Sequence, residues 1–223
     1  GVKNLSIFGR GVDNELFNPE KKDPKTLEKY GLDPEKLTIL YAGRLADEKS
    51  IPVVIEAFKT LSKNKILSEG LGKKLQLLIA GDGPLREELE KELKGTAHAF
   101  AGMQKGEDYA RIHAAADIFA FPSMTETFGQ VVLEAMASGV PVLGFDSPGV
   151  RDLVDHNKSG FLAPANDQSA FTNHMMRLIS DEKLRQKFSK AARKEALSRS
   201  WDEILSGVVE NYQSVIERKK AKS

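Results

Sequence analysis

The sequence predicts an α/β protein built on a doubly wound parallel sheet, and three observations carry that prediction. Apolar runs of four to six residues recur along the first two thirds of the chain, each bounded by Gly, Pro or charge, as buried strands are. Amphipathic patterns of helical period alternate with them. The joining stretches are short, and parallel neighbours need a crossover that a helix supplies, so the helices should cover both faces of one sheet.

In chain order, the expected strands are Leu5–Phe8, Thr38–Ala42, Leu75–Ala80, Ala97–Ala101, Asp117–Phe121 and Val140–Phe145. Between Leu5–Phe8 and Thr38–Ala42, the segment Asn14–Leu37 carries Pro19, Pro24 and Pro34 among many charges and reads as a surface excursion. Ile51, Val54, Ile55, Phe58 and Leu61 fall at i, i+3, i+4, i+7 and i+10, with Pro52 suited to a first turn. Leu85, Leu89 and Leu93 repeat the pattern behind Pro84, and a very apolar helix is expected from about Phe128 to Ala137. After Gly160–Pro164 the strands stop. Helical patterns then cover Asp167–Ile179, Asp181–Leu197 and Trp201–Ile216, the last with a whole apolar face that must dock on something. Arg218, Lys219, Lys220 and Lys222 suit a solvated helix end favoured by the macrodipole.

Composition narrows the function. The 33 Lys+Arg against 32 Asp+Glu leave a formal charge of +1 in 223 residues, so the net balance does not point to nucleic acid or an anionic membrane. At 40% hydrophobic and 29% charged the chain should bury a full core. Zero cysteine removes disulfide, thiolate and zinc-ribbon chemistry. His98, His113, His156 and His174 lack ligand spacing and read as structural or solvated. Arg86 stands where a dinucleotide fingerprint wants a third Gly or Ala, and no P-loop, nucleophile elbow or Asp-x-Asp pair occurs. No internal repeat or linker divides the chain, so one domain is expected over residues 1–223, although it opens at Gly1 in what reads like mid-protein sequence.

The chemistry concentrates in Phe121-Pro122-Ser123-Met124-Thr125-Glu126-Thr127-Phe128-Gly129-Gln130-Val131-Val132-Leu133-Glu134-Ala135-Met136-Ala137 and the Ser138-Gly139-Val140-Pro141-Val142 that follows. A strand ends at Pro122, a polar loop carries Glu126, and a helix begins near Phe128. Ligands of open α/β sheets bind at the carboxyl ends of the strands, and free N–H groups at Phe128, Gly129, Gln130 and Val131 would make an anion seat. Gly129 permits close backbone approach. Glu134, set among Leu133, Ala135 and Met136, should have a partner, either a nearby Arg or Lys or the two hydroxyls of a ribose. Glu126 is either a solvated loop residue or a sugar contact at the mouth. Arg44 and Lys49, five residues apart on a strand-to-helix loop, either meet an anion seated on the other helix or stay in solvent.

The whole string, Glu126-x7-Glu134 with its flanks, resembles the signature of retaining glycosyltransferases of the GT-B fold, in glycosyltransferase family 4. Gly43-Arg44-Leu45-Ala46-Asp47-Glu48-Lys49-Ser50 resembles the family's first donor loop, Ala80-Gly81-Asp82-Gly83-Pro84-Leu85 its next turn, and Phe100-Ala101-Gly102-Met103 the strand end that meets the base. Gly11-Val12-Asp13, with Phe17 and Pro19, resembles the segment where the chain enters the second domain, so the likeness spans essentially all 223 residues.

The resemblance implies the Rossmann-like, C-terminal half of a GT-B glycosyltransferase. Residues 1–37 would lead in from an N-terminal acceptor domain, and residues 165–223 would be its C-terminal helices. It implies transfer of a hexose, with retention, from a UDP- or GDP-sugar to a hydroxyl acceptor such as a lipid, with the lone domain inactive. Glu126, Arg44 and Lys49 take the catalytic roles. Arg44, Lys49, Gly83, Met103, Glu126, Thr127, Phe128, Gly129, Gln130, Val131 and Glu134 take the donor, Arg44 and Lys49 clamping the diphosphate and Glu134 the ribose. No metal and no tightly bound cofactor is implied. A cytoplasmic protein, or one peripheral to the cytoplasmic face of a membrane, is expected. Rival readings are a GT-B-fold epimerase or phosphorylase, or a non-catalytic nucleotide-sugar-binding module. The sequence departs from the family at Pro148-Gly149-Val150-Arg151-Asp152, where Gly-Gly and Glu are frequent, and at Arg10, where Asn is.

Overall fold

The computed structural model describes residues 9–63 and 75–220. The expected strand Leu5–Phe8 and the last three residues of the basic tail lie outside them. Six strands form one sheet: β1 (Leu37–Ala42), β2 (Leu75–Ala80), β3 (His98–Gly102), β4 (Ile118–Phe121), β5 (Val142–Phe145) and β6 (Gly160–Ala163). All five pairings are parallel, in the order β3-β2-β1-β4-β5-β6. The chain therefore builds outwards from β1 to β3, then returns to the middle and builds the other way from β4. Every residue of β1, β2, β4 and β5 is buried, as expected of strands covered on both faces. β3, an edge strand, is half-buried throughout.

The crossovers and flanks are α1 (Pro24–Glu28), α2 (Ile51–Ser62), α3 (Arg86–Glu92), α4 (Gly106–Ala115), α5 (Gln130–Ala137), α6 (Pro148–Arg151), α7 (Gln168–Ser180), α8 (Glu182–Leu197) and α9 (Trp201–Lys220). α2 buries Ile51, Val54, Ile55, Phe58 and Leu61, the stripe that the periodicity marks. Asp167 and Asp181 cap α7 and α8, each carboxylate accepting an N–H three residues on, from Ala170 and Leu184. No helix among the described residues is long and apolar enough to cross a membrane.

Four elements differ from the sequence reading. β6 is a further strand in the stretch where the strands are expected to stop. It pairs with β5 from Val142↔Gly160 to Phe145↔Ala163, and a Cβ on Gly160 would lie 2.3 Å from the Val142 carbonyl oxygen, so the close approach needs a glycine. α4 has no counterpart among the expected helices, and it supplies the crossover between β3 and β4. The Asn14–Leu37 excursion is anchored: Phe17, Leu27 and Leu32 are buried in the core. Arg193 of α8 donates to the carbonyls of Asn14, Phe17 and Ala137 and so straps that segment to the end of α5.

The fourth difference is α9. Its first turn packs on the leading segment, where Val12 N–H donates to the Arg199 carbonyl at 2.9 Å and a Cβ on Gly11 would sit 2.7 Å from the Trp201 backbone. Beyond that turn the expected docking does not occur within the described chain, and Leu205, Val209, Tyr212, Val215 and Ile216 stand exposed. His113, His156 and His174 have packing or hydrogen-bonding partners. His113 is fully buried, and burial pushes its pKa down to about 3, so it is neutral. His156 accepts the Leu162 N–H, and His174 stacks on Phe161 at 4.5 Å.

Candidate active site

The order reversal puts the loops after β1 and β4 side by side, with a gap between them at the carboxyl edge of the sheet. The loop after β1 nests on the loop after β2. Gly43 donates to Ala80, Leu45 donates to the Asp82 carbonyl and Leu85 donates back to Leu45. Glycine is required in this contact: a Cβ on Gly81 would lie 1.9 Å from the Gly43 oxygen and one on Gly83 2.4 Å from the Leu45 oxygen. The Gly83 N–H is directed at Asp82 Oδ1 (2.8 Å), so this residue serves the nesting of the two loops.

Lys49 and Glu126 bridge the gap. Lys49 Nζ donates to Glu126 Oε2 at 3.0 Å and lies 5.9 Å above the Phe121 ring. Thr125 Oγ1 adds a second tie, donating to the Glu48 carbonyl at 3.2 Å. Glu126 is therefore neither solvated nor free. Partial burial works to raise its pKa, but the Lys49 ammonium and the N–H groups of Gly129 and Phe128 outweigh it and hold the carboxyl below its usual value. It is a carboxylate at neutral pH.

This corrects the picture of four free N–H groups. Gly129 donates to Glu126 Oε1 at 3.3 Å, and Phe128 also faces that carboxylate, so two of the four are turned inward. Gln130 and Val131 open the first turn of α5, whose N–H groups have no intrahelical acceptors. Gly129, in left-handed backbone (φ 67°), starts that helix two residues later than expected. A Cβ there would meet the Gly149 oxygen at 2.8 Å and Leu153 at 2.9 Å. The Pro148–Arg151 departure therefore packs beneath the Glu126 loop: Gly149 N–H donates to the Glu126 carbonyl at 3.1 Å and Ser147 Oγ to the Ser123 carbonyl at 2.8 Å. Arg151 pairs with Asp146.

Arg44 is more exposed than its partners, 67% open, and pairs with Glu48 at 3.5 Å rather than reaching across. A cation to which the motif assigns no role stands nearer the helix start: the Arg10 guanidinium lies 4.6 Å over the ring of exposed Phe128. Thr127 is exposed beside it.

Glu134 sits about one turn into α5, mostly buried, and among the described residues no Lys, Arg or His pairs with it. Burial pushes its pKa up to about 7, with a hydrogen bond from Gln130 pulling the other way. Gln130 also donates to the Gly11 carbonyl at 3.3 Å, and its own amide oxygen is buried with no partner among the described residues. Of the two partners open to Glu134, the cation is absent.

Next to this lies a cleft of about 400 Å³ lined by Gly43, Arg44, Gly81, Asp82, Met103 and Tyr109, with Met103 68% exposed at its rim. Tyr109, on the unforeseen helix α4, escapes the sequence reading; the signal is the aromatic pair Tyr109 and His113 at i, i+4. A wider depression bordered by Asp146, Asp152, Asp155 and Glu195 shares no residue with the cleft and is too acidic to suit a diphosphate. Among the described residues no group of three His, Asp or Glu could hold a metal ion.

A cleft at the carboxyl edge of a doubly wound parallel sheet, next to the point where the strand order reverses, defines a domain of the nucleotide-binding α/β class. The chain belongs to the glycosyl transferases group 1 family, matched over residues 22–195, and its fold is that of a GT-B glycosyltransferase domain. It is 32% identical over 223 residues to a GDP-mannose-dependent alpha-mannosyltransferase of Mycolicibacterium smegmatis, covering all of this chain and 55% of that one. The chain spans about half the length of most curated relatives it matches, 38% to 55%. Among solved structures, the C-terminal domain of a group 1 glycosyl transferase from Francisella tularensis superposes with a TM-score of 0.72 at 24% identity, over 85% of this chain and 98% of that one. Anabaena Alr3699/HepE in complex with UDP-glucose gives 0.74 at 22%, over 92% and 56%.

Proposed function

We propose that this chain is the donor-binding half of a retaining hexosyltransferase, which takes a sugar from a nucleoside diphosphate and passes it to a hydroxyl acceptor held by a second, N-terminal domain. The observation that carries the reading is the pairing of Lys49 with Glu126 across the switch-point gap, with Glu134 left without a cation one cleft away. A relative named for GDP-mannose and a similar fold holding UDP-glucose support the donor class.

In this reading the diphosphate lies against the first turn of α5, where Gln130 and Val131 present N–H groups, with Lys49, Arg44 and Arg10 as its cations. The sugar meets Glu126, and the ribose hydroxyls meet Glu134. The bond from the anomeric carbon to the β-phosphate oxygen breaks as the acceptor oxygen bonds to that carbon, and the acceptor proton passes to the departing phosphate. Charge grows on that phosphate, and donors fixed in advance are the efficient way to stabilise it, each worth roughly 3–4 kcal/mol. Both Glu126 oxygens are already engaged by Lys49 and Gly129, which suits gripping of sugar hydroxyls better than attack on carbon. Closure of the second domain would exclude water, so the lone domain is expected to bind donor without turnover. A lipid is the proposed acceptor.

The test is calorimetric titration with UDP, GDP and their hexose conjugates, followed by product analysis with the N-terminal domain present. Saturable binding and an α-linked glycoside support the reading. An epimerised donor or a free sugar phosphate would convert it to one of the GT-B-fold alternatives, and binding of no nucleotide would end it.

A further inference from the structure

We propose that Tyr109 is a donor-gripping residue of this cleft, its phenol donating a hydrogen bond to a ribose hydroxyl that in turn donates to Glu134. The inference rests on the donor-binding reading and adds a group that neither the sequence signature nor the phosphate geometry calls for.

Tyr109 lines the cleft together with Gly43, Arg44, Asp82 and Met103. Its ring is fixed from behind by two edge-on contacts, His113 at 4.6 Å and Phe17 at 6.0 Å, both at 88°. The phenol lies within electrostatic range of Glu134 on α5 and of Tyr41 on β1. Tyr41 is committed elsewhere, donating to the Arg44 carbonyl at 2.9 Å. Among the described residues nothing accepts the Tyr109 hydroxyl. A mostly buried donor thus lines the cleft, on a helix that touches the one carrying the cation-free carboxyl. A hydroxyl of a vicinal diol satisfies both at once, because it donates one hydrogen bond and accepts others. Burial and the nearby Glu134 hold the phenol in its protonated form, and neutral His113 brings no competing charge.

Calorimetry separates this role from packing. UDP and GDP, and their 2′,3′-dideoxy counterparts, are titrated into the protein and into Tyr109→Phe, which keeps the ring that His113 and Phe17 hold. The ribonucleotides should bind Tyr109→Phe roughly tenfold more weakly, the dideoxy forms should bind both proteins alike, and the melting temperature should not move. With Glu134→Gln added, the combined loss should fall short of the product of the two single losses. Equal losses for ribo and dideoxy forms, or no loss at all, would overturn the role of Tyr109 while leaving the donor cleft standing. Failure of the unsubstituted protein to bind any of the four would overturn the cleft and Tyr109 together.

Discussion

Lys49 and Glu126, carried on the loops after β1 and β4, meet at 3.0 Å across the point where the strand order reverses, with side chains 22% and 18% exposed. Neither loop holds this geometry alone. The contact fixes a cation beside the α5 N-terminus and keeps Glu126 ionised, so the gap carries one charge of each sign before any ligand arrives.

On the proposed function, Lys49→Ala in a protein that includes the proposed N-terminal domain should therefore lower turnover by about 10²- to 10³-fold, the loss typical of one charge-stabilising donor. Steady-state release of nucleoside diphosphate measures it. A rate within a factor of two or three of the unsubstituted enzyme removes Lys49 from the chemistry.

Arg44 should separate activity from stability. Its pairing with Glu48 is solvent-exposed, and such pairs contribute at most ~1 kcal/mol. Arg44→Ala should melt with the parent protein yet bind nucleoside diphosphates more weakly, with nucleoside monophosphates less affected. Parallel losses for both ligands would place Arg44 away from the diphosphate.

Glu134 sets a pH dependence whose sign follows from its raised pKa. The unfolded group titrates near 4.5 and the folded one near 7, so between those values the native state holds a proton that the unfolded chain has released. The associated stability is full below about pH 4.5 and is lost as pH rises through 7. Glu134→Gln removes the dependence. Its melting temperature should exceed the parent's at about pH 8, by an amount worth up to ~3 kcal/mol, since each tenfold difference in proton affinity between the folded and unfolded chain is worth about 1.4 kcal/mol. Near pH 4 the two proteins should melt together. A gap that is constant with pH would contradict this.

Gly129→Ala should destabilise by about 1–3 kcal/mol. Its φ of 67° disfavours any side chain, and the added carbon would press on the Gly149 oxygen at 2.8 Å and Leu153 at 2.9 Å. Thermal denaturation reads the loss. An unchanged melting temperature would mean that the Glu126 loop and α6 part without cost.

What the sequence shows of this fold divides along physical lines. β1, β2 and β4 are legible because their burial is complete and local, so hydrophobic runs mark them directly, and α2 because its buried face repeats as a 3.6-residue stripe. β6 escapes because Gly-Phe-Leu-Ala ahead of a proline is too short for a period, and pairing with β5 decides its state. α4 escapes because charges interrupt its apolar positions and no side chain caps it. In the site, Lys49, Glu126 and Glu134 are visible from their spacing and flanks. Tyr109 is not, because its place in the cleft depends on a helix that the periodicity does not reveal. The inward turn of the Gly129 N–H depends on where Glu126 folds, which no spacing encodes.

The strand order has one more consequence. Lys49 and Glu126 are 77 positions apart in the chain, so a guest lodged between them rivets the earlier half of the sheet to the later half. Amide exchange in β2 and in β5 should then slow together when the guest arrives.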